Sequence, residues 1–264
     1  MKVKDIAEIM EKLAPKKFSV PNDNIGIIVG DAEQEVDTIL LTLDVDCGVV
    51  AEAASLGAQM IVSHHPIMYK PIQQITAATP QGRTIRALIK NDISMFAAHI
   101  NLDVAPGGLC AVMAEKIGLS NMTVLDPLHC DLYGDNVGLG RIGDIAPMRL
   151  TELAAHVKKV LNVRALKYAG EDKIVSRVAT CCGMGASLIP LAIEKGADVY
   201  ISGDFTMDQS RDCAAAGTAI IDAGHHETEV TAKEVFYNFF TKELGDKVKL
   251  YTSKANTNVY DVIL

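Results

Sequence analysis

Short apolar segments alternate with longer segments of helical periodicity along most of this chain. Residues 38–43, 58–62 and 93–98 are short runs rich in β-forming side chains, whereas residues 49–56 and 82–90 between them have helical spacing. This alternation predicts strands connected by helices, which is typical of a mostly parallel or mixed sheet. The same alternation returns in the second half of the chain, so the expected fold class is α/β.

Two segments of the chain align with each other without a gap. Residues 36–65 and 175–204 share the order strand, turn, helix, Gly-Ala, strand and Ser at a constant offset. In this alignment Ser63-His64-His65 falls on Ser202-Gly203-Asp204. Identities are few and βαβ units resemble one another by chance, but the conserved order of elements favours two related α/β halves.

A glycine-rich segment over residues 126–148 interrupts the alternation. It has little helical periodicity, which indicates a domain boundary or an extension of a sheet. We therefore predict two α/β domains with mostly parallel or mixed sheets. The first domain is discontinuous, with residues 1–125 plus 220–264, and contains the candidate metal-binding residues. The second domain has residues 126–219.

The charge and hydropathy pattern limits the partners of the chain. The net charge of -8 and the absence of a run of Lys and Arg argue against nucleic acid, since phosphate contacts require clustered cations. No apolar stretch approaches the ~20 residues that cross a bilayer, and the N-terminal residues are charged and amphipathic rather than a signal peptide. We expect a cytoplasmic protein that acts on a small molecule.

The six cysteines show no C-x-x-C spacing and no dense disulfide framework. They are interpreted as reduced and mostly buried. The adjacent pair Cys181-Cys182 follows an apolar run, which favours the core of a strand over a thiol site.

Three of the predicted strands end in side chains of the kinds that bind metals. In open α/β sheets such side chains gather beyond the carboxyl ends of the strands, where the loops converge. Four of the seven histidines form two doublets at strand ends. A single histidine at a strand end is commonly a hydrogen-bonding loop residue, whereas two doublets favour metal binding. The candidate metal ligands are His64, His65, Asp103, His225 and Glu229.

The spacing of the last two candidates supports a common target. His225 and Glu229 are four residues apart near the start of a predicted helix, so both side chains can face one point. Imidazole and carboxylate ligands suit zinc, iron, manganese and similar divalent ions. A carboxylate from another strand, Asp103, can bridge two such ions at the separation of ~3.5–4 Å that is typical of two-metal hydrolases.

Other polar residues are weaker candidates. His99, His226 and Glu227 suit hydrogen bonding to a ligand as well as direct ligation, and His99 or Glu227 could serve as a proton shuttle. The turn at 183–186 could present backbone N–H groups to a phosphate, although a tight strand-to-helix turn is the simpler interpretation. Asp23, Asn24 and Asp44 are interpreted as turn or cap residues, and His129 and His156 as structural histidines.

At these residues the chain resembles the GTP cyclohydrolase I type 2 family, also described as NGG-interacting-factor-like dinuclear-metal hexameric proteins. The matching motifs run in family order over nearly the whole chain, although Asn22 stands where a Trp is usual. They are Asp23-Asn24-Ile25-Gly26, Leu43-Asp44-Val45, Ser63-His64-His65-Pro66, Ala98-His99-Ile100-Asn101-Leu102-Asp103, Pro106-Gly107-Gly108 and Gly224-His225-His226-Glu227-Thr228-Glu229.

The resemblance implies two interlinked α/β domains, a ring-shaped homo-hexamer and two metal ions per subunit. By motif position the ligands are the same five residues chosen from the pattern, with Asp103 or Glu229 able to bridge. Residues 126–175 leave no room for the inserted middle domain of some relatives, so the chain corresponds to the short form.

The leading hypothesis is a metal-dependent hydrolase that acts on a nucleotide-like or phosphorylated small molecule. The family name suggests opening of the GTP ring with release of formate. The alternatives are a metal carrier or metallochaperone without turnover, and a ring-shaped scaffold.

Overall fold

A computed structural model describes residues 1–128, 134 and 136–263 of the chain. The described residues form two units, of which the first has residues 1–102 and 232–259 and the second has residues 103–231 and 260–264. Within the described ranges, no helix has the length and apolar character that a membrane span requires. His129 and Cys130 lie outside the described residues.

The first unit is built on a five-stranded sheet. Its strands are β1 (Gly26–Val29), β2 (Thr38–Thr42), β3 (Met60–Ser63), β4 (Ser94–Ala97) and β11 (Lys249–Thr252), in the order β1-β4-β3-β2-β11. The pairs β4-β3, β3-β2 and β2-β11 are parallel, and only β1 runs antiparallel to its neighbour. Every residue of β2, β3 and β4 is buried, as expected for parallel strands covered on both faces.

The helices of the first unit follow local sequence signals. They are α1 (Val3–Leu13), α2 (Cys47–Ser55), α3 (Pro80–Lys90) and α10 (Ala232–Leu244), and α4 (Ile100–Asp103) begins here. Helix α1 buries Val3, Ile6 and Met10 on one face. The Asp46 side chain accepts a hydrogen bond from Val49 N at 2.8 Å, and so caps the N-terminus of α2.

The second unit contains a six-stranded mixed sheet. Its strands are β5 (Ser120–Pro127), β6 (Gly138–Arg149), β7 (Lys167–Ala169), β8 (Ile174–Met184), β9 (Val199–Gly203) and β10 (Ala219–Asp222), in the order β5-β6-β8-β9-β10-β7. Strands β8, β9 and β10 are parallel, and the outer pairs are antiparallel. The helices are α5 (Leu109–Ile117), α6 (Leu150–Val160), α7 (Ile189–Glu194), α8 (Met207–Ala215) and α9 (His225–Glu229).

The structure divides the chain at different positions from those expected. We predicted domains of 1–125 plus 220–264 and of 126–219, whereas the units change after residues 102 and 231. The reason is strand pairing: β5 pairs with β6, and β10 pairs with β9, so both strands belong to the second sheet. Asp103, His225 and Glu229 consequently belong to the second unit, and not to the unit that holds His64 and His65.

The glycine-rich segment is part of the second sheet. Strand β6 has twelve residues and lies in this segment except for its last residue, Arg149, which agrees with the sheet extension considered above. The pattern did not predict a strand because glycines are poor strand formers. A Cβ on Gly143 would lie 2.6 Å from the Ser120 carbonyl oxygen, so glycine allows the close approach of β6 and β5.

The two aligned segments have the same elements in the structure. Residues 38–42, 47–55 and 60–63 form strand, helix and strand in the first unit. Their counterparts 177–181, 186–194 and 199–202 lie in β8, in a 3₁₀ turn that continues into α7, and in β9. Both segments therefore have the order strand, helix and strand, and β8 is longer than its counterpart.

Candidate functional site

Polar residues meet at the carboxyl edge of the first sheet. Because β2, β3 and β4 are parallel and in register at their last residues, the segments that follow them leave the sheet at one edge. Asp44 follows β2, His64 and His65 follow β3, and His99 follows β4. One side-chain nitrogen from each of the three histidines lies within 4.8 Å of the other two.

Each of these histidines is held through its Nδ1 atom. His64 Nδ1 lies 2.9 Å from the Ala98 carbonyl oxygen, His65 Nδ1 lies 2.7 Å from Asp44 Oδ1, and His99 Nδ1 lies 2.8 Å from Asp23 Oδ1. All three partners are oxygen acceptors, so Nδ1 carries the proton and donates it. In the neutral imidazole the lone pair is then on Nε2, the arrangement that metal-binding histidines use.

Burial makes this cluster rigid and keeps one histidine neutral. His64 is fully buried, and His99 is largely buried. Burial lowers the pKa of His99; the hydrogen bond to Asp23 opposes this, and the adjacent His64 adds to it. Burial raises the pKa of Asp23, but hydrogen bonds from His99 and Ser19 outweigh it and the pKa falls. The pair is a neutral imidazole beside a carboxylate at neutral pH.

The second unit presents a related arrangement on helix α9. His225 and Glu229 are its first and last residues, so the i to i+4 spacing is realised on one helical turn. His225 Nδ1 lies 2.9 Å from Asp204 Oδ2, and His225 Nε2 lies 3.1 Å from Glu229 Oε2. Hydrogen bonding to Glu229 is the main reason that the pKa of His225 rises to about 9, with a further contribution from Asp204. The imidazolium between two carboxylates marks a position that favours a cation.

Glycines allow the backbone to approach this pair closely. Gly183 has a φ of +61°, and a Cβ there would lie 2.1 Å from Glu229 Oε1 and 3.3 Å from His225 Nε2. The Gly183 N–H donates to Thr228 Oγ1 at 2.9 Å, which fixes the turn against α9. A Cβ on Gly203 would lie 2.5 Å from His225 N. The buried Glu229 carboxylate therefore sits in a cradle that a single methyl group would fill.

The remaining predicted residues have distinct surroundings. Asp103 is buried at the end of α4 and accepts a hydrogen bond from Cys182 Sγ at 3.2 Å. Glu227 is half-buried, and its Oε2 would meet a Cβ on Gly224 at 2.3 Å, so its carboxylate turns back toward the start of α9. His156 uses Nε2 on the Ile117 carbonyl oxygen at 2.9 Å, the opposite nitrogen from the candidate ligands.

Sequence patterns alone missed three supporting carboxylates. Asp23 and Asp44 were interpreted as turn or cap residues, but each accepts a hydrogen bond from a candidate histidine. Asp204 does the same for His225. Their positions in the Asp23-Asn24 and Leu43-Asp44 motifs, and the alignment of Asp204 with His65, were the available signals.

The donor atoms fit divalent first-row metal ions. The set is imidazole nitrogen and carboxylate oxygen, which zinc, iron and manganese accept, and each histidine has an oxygen partner on its other nitrogen. The chain thus has candidate His and Glu metal-binding groups on a mixed α/β fold. The fold and the site together define the class of the protein: it is an α/β protein with histidine-rich candidate metal sites at the carboxyl edges of its sheets.

The chain belongs to the Duf34/NIF3 (NGG1p interacting factor 3) family, whose profile matches residues 1–259. It is 36% identical over 265 residues to the GTP cyclohydrolase 1 type 2 homolog of Clostridium perfringens, with 100% of each chain covered. It is 33% identical to the homolog of the same name from Lactococcus lactis, covering 99% of this chain and 100% of that one.

A solved structure confirms the fold. The Bacillus cereus protein related to NIF3 is 26% identical, with a TM-score of 0.93 over 100% of this chain and 99% of that chain. The mixed α/β fold is therefore shared with that protein over the full length of this chain.

Proposed function

We propose that this protein is a metal-dependent hydrolase that binds two divalent ions through His64, His65, Asp103, His225 and Glu229. One observation carries the proposal: four of the five histidines at the sheet edges, namely His64, His65, His99 and His225, direct Nδ1 to an oxygen acceptor. A structural histidine has no reason to use one particular nitrogen, and His156 uses the other. For His64, His65 and His99 this tautomer leaves the Nε2 lone pair available to a metal ion. His225 Nε2 faces Glu229 Oε2 at 3.1 Å and would have to give up its proton on metal binding.

The protein residues have separable tasks in such a reaction. Bound divalent ions lower the pKa of a coordinated water toward neutrality and polarise the substrate. His64 is buried and fixed by the Ala98 carbonyl, so it supplies a rigid position. His99 is neutral, and its Nδ1–H donates a hydrogen bond to Asp23. Its Nε2 atom is therefore suited to receive a proton and pass it on. His99 also lies close enough to His64 and His65 to serve as a further ligand.

The substrate class rests on the relatives. Proteins named GTP cyclohydrolase 1 type 2 homolog share about a third of the sequence over its full length, which supports a nucleotide-like or phosphorylated substrate. Protein loaded with zinc, manganese or iron should release formate from GTP. If none of the three loaded forms does so at protein concentrations where the metals are bound, GTP is excluded as the substrate.

Metal binding is tested before activity. We expect the purified protein to hold two equivalents of metal by inductively coupled plasma mass spectrometry, and His65→Ala and Glu229→Gln each to hold less. His156→Ala is the matched control, because it removes an imidazole that bonds a carbonyl outside the site, and it should keep the full metal content. Equal metal content in all four proteins would contradict the assignment of ligands.

The same measurements separate the enzyme from a metal carrier. A carrier or metallochaperone would exchange its metal readily and turn over no nucleotide or phosphoester, and a scaffold would keep its assembly after His65→Ala. The proposed assembly is a homo-hexamer, which light scattering of the intact protein tests directly.

A further inference from the structure

Three cysteine thiols meet inside the second unit. Cys110 lies in the first turn of α5, and Cys181 and Cys182 are adjacent near the end of β8. Cys110 Sγ is 3.0 Å from Cys182 Sγ, and the Cys181 thiol, which donates to the Cys182 carbonyl oxygen at 3.4 Å, adjoins Cys110. Neighbouring residues of a regular strand point to opposite faces, but the β8–β9 register shifts between Thr180 and Met184, where both thiols reach one helix.

The surroundings of the cluster differ from those of an ordinary apolar core. Contact with the Cys181 and Cys182 thiols, together with the nearby buried charge of Arg141, lowers the pKa of Cys110 despite burial, whereas the pKa values of Cys181 and Cys182 are raised. Cys182 Sγ donates to Asp103 Oδ1 at 3.2 Å. By contrast, Cys213 is buried in α8, and burial alone raises its pKa to about 11. A second thiol within 3.0 Å is the property of redox-active cysteine pairs that the geometry supplies here.

We propose that Cys110 and Cys182 form a peroxide-reactive dithiol that closes to a disulfide and thereby removes the thiol hydrogen bond from Asp103. A disulfide bond is about 2.05 Å long, so the two sulfur atoms must approach by about 1 Å from their present distance. The oxidant is a small hydroperoxide such as hydrogen peroxide, because both thiols are buried.

The chemistry balances in two steps. The Cys110 thiolate attacks one peroxide oxygen, so an S–O bond forms, the O–O bond breaks, and the departing hydroxide takes up a proton to become water. The Cys182 sulfur then attacks the Cys110 sulfenic sulfur, so the S–S bond forms and the S–O bond breaks. The Cys182 proton leaves with that hydroxide as a second water. The two thiols lose two electrons, and the peroxide gains them.

Closure has a consequence for Asp103. In the reduced protein the Cys182 thiol donates to Oδ1 of this carboxylate, and in the disulfide Cys182 has no proton to donate. Loss of a hydrogen bond that orients a ligand typically weakens metal affinity about 10- to 100-fold. This second half of the inference rests on the proposed function, because it requires Asp103 to be a ligand; disulfide formation does not.

The disulfide is tested on the full-length protein by mass. After hydrogen peroxide treatment we expect a loss of about 2 Da in the intact mass before alkylation, and after alkylation and digestion a peptide that joins Cys110 to Cys182. Cys213 should remain alkylated as an internal control. In Cys182→Ser, dimedone should label Cys110, and Cys213→Ser should close the bond normally. Thermal melts of both variants establish that they are folded.

Two results would overturn the proposed disulfide. One is that Cys110 and Cys182 still have free thiols at a peroxide dose that has already oxidised the exposed Cys47. The other is a disulfide that joins Cys110 to Cys181 instead of Cys182. Metal affinity is then compared between the reduced and oxidised protein with a chromogenic chelator. An unchanged affinity after complete closure would refute the coupling to Asp103. Absence of metal from the reduced protein would refute the proposed function and leave the disulfide result standing.

Discussion

Replacing Gly183 by alanine tests the carboxylate cradle with one methyl group. A Cβ at this position would lie 2.1 Å from Glu229 Oε1, whereas ordinary van der Waals contact starts at 3.4 Å. The Glu229 carboxylate must therefore move by about 1.3 Å, or the turn must open. A displacement of this size takes the oxygen out of the range of ligand distances, which vary by about 0.2 Å.

Two effects of the substitution have different sizes and different readouts. Alanine at a φ of +61° costs about 1–2 kcal/mol of folding free energy, which lowers the Tm by about 2–8 °C in a protein of this size. Displacement of Glu229 weakens metal affinity. We expect a loss of about 100-fold or more, because mutation of residues that only hydrogen-bond a ligand already lowers metal affinity by about 10- to 100-fold. Metal affinity is measured by competition with a chromogenic chelator, and Tm by differential scanning calorimetry of metal-free protein.

Gly196→Ala is the matched control for backbone strain. Gly196 lies in the same unit with a φ of +72°, and a Cβ there would meet nothing within 4 Å. We expect a similar decrease in Tm and unchanged metal affinity. The reasoning is refuted if Gly183→Ala binds metal as tightly as the wild type, or if Gly196→Ala loses as much affinity as Gly183→Ala.

Three further predictions follow from named contacts. Asp44→Asn removes the carboxylate that His65 contacts at 2.7 Å, so metal affinity should fall about 10- to 100-fold in the chelator assay, and an unchanged affinity would exclude a positioning role. Asp46→Ala, two residues away, removes only the cap on Val49 N; it should cost about 1 kcal/mol in denaturant unfolding without change in metal content. When free metal is present at 100 times its Kd, its removal by a chelator should lower the free energy of unfolding of the wild type by about 2.7 kcal/mol. Equal Tm values for the metal-bound and metal-free protein would contradict binding to the native state.

Local pattern was sufficient for most elements and for the choice of candidate ligands. The apolar runs at β2, β3 and β4 and the periodicity of α2 and α3 were readable because their residues have strong propensities and clear spacing. Strands β6 and β11 were not predicted, since a strand containing several glycines or a short half-exposed strand has no distinctive pattern. The predicted helix near whose start His225 and Glu229 lie is two helices, α9 and α10.

The division of the chain depended on pairing between distant strands. Residues 103–125 and 220–231 resemble the α/β segments before and after them. Strand pairing with β6 and β9, and packing of α5 and α9 on β8, assign them to the second unit. Sequence spacing has no information on which sheet a strand joins when both sheets are of the same class.

The sequence by itself determined the family, the α/β class and the identity of the candidate ligands, because these depend on residue types in a fixed order along the chain. Only the tertiary structure decided which nitrogen each histidine presents, since that depends on oxygen acceptors tens of residues away, such as Asp23 for His99. The contact between Cys110 and Cys182, 72 positions apart, has the same origin. Hydrogen bonds and sulfur contacts form through space, and their partners are set by how the strands pair and not by their separation along the chain.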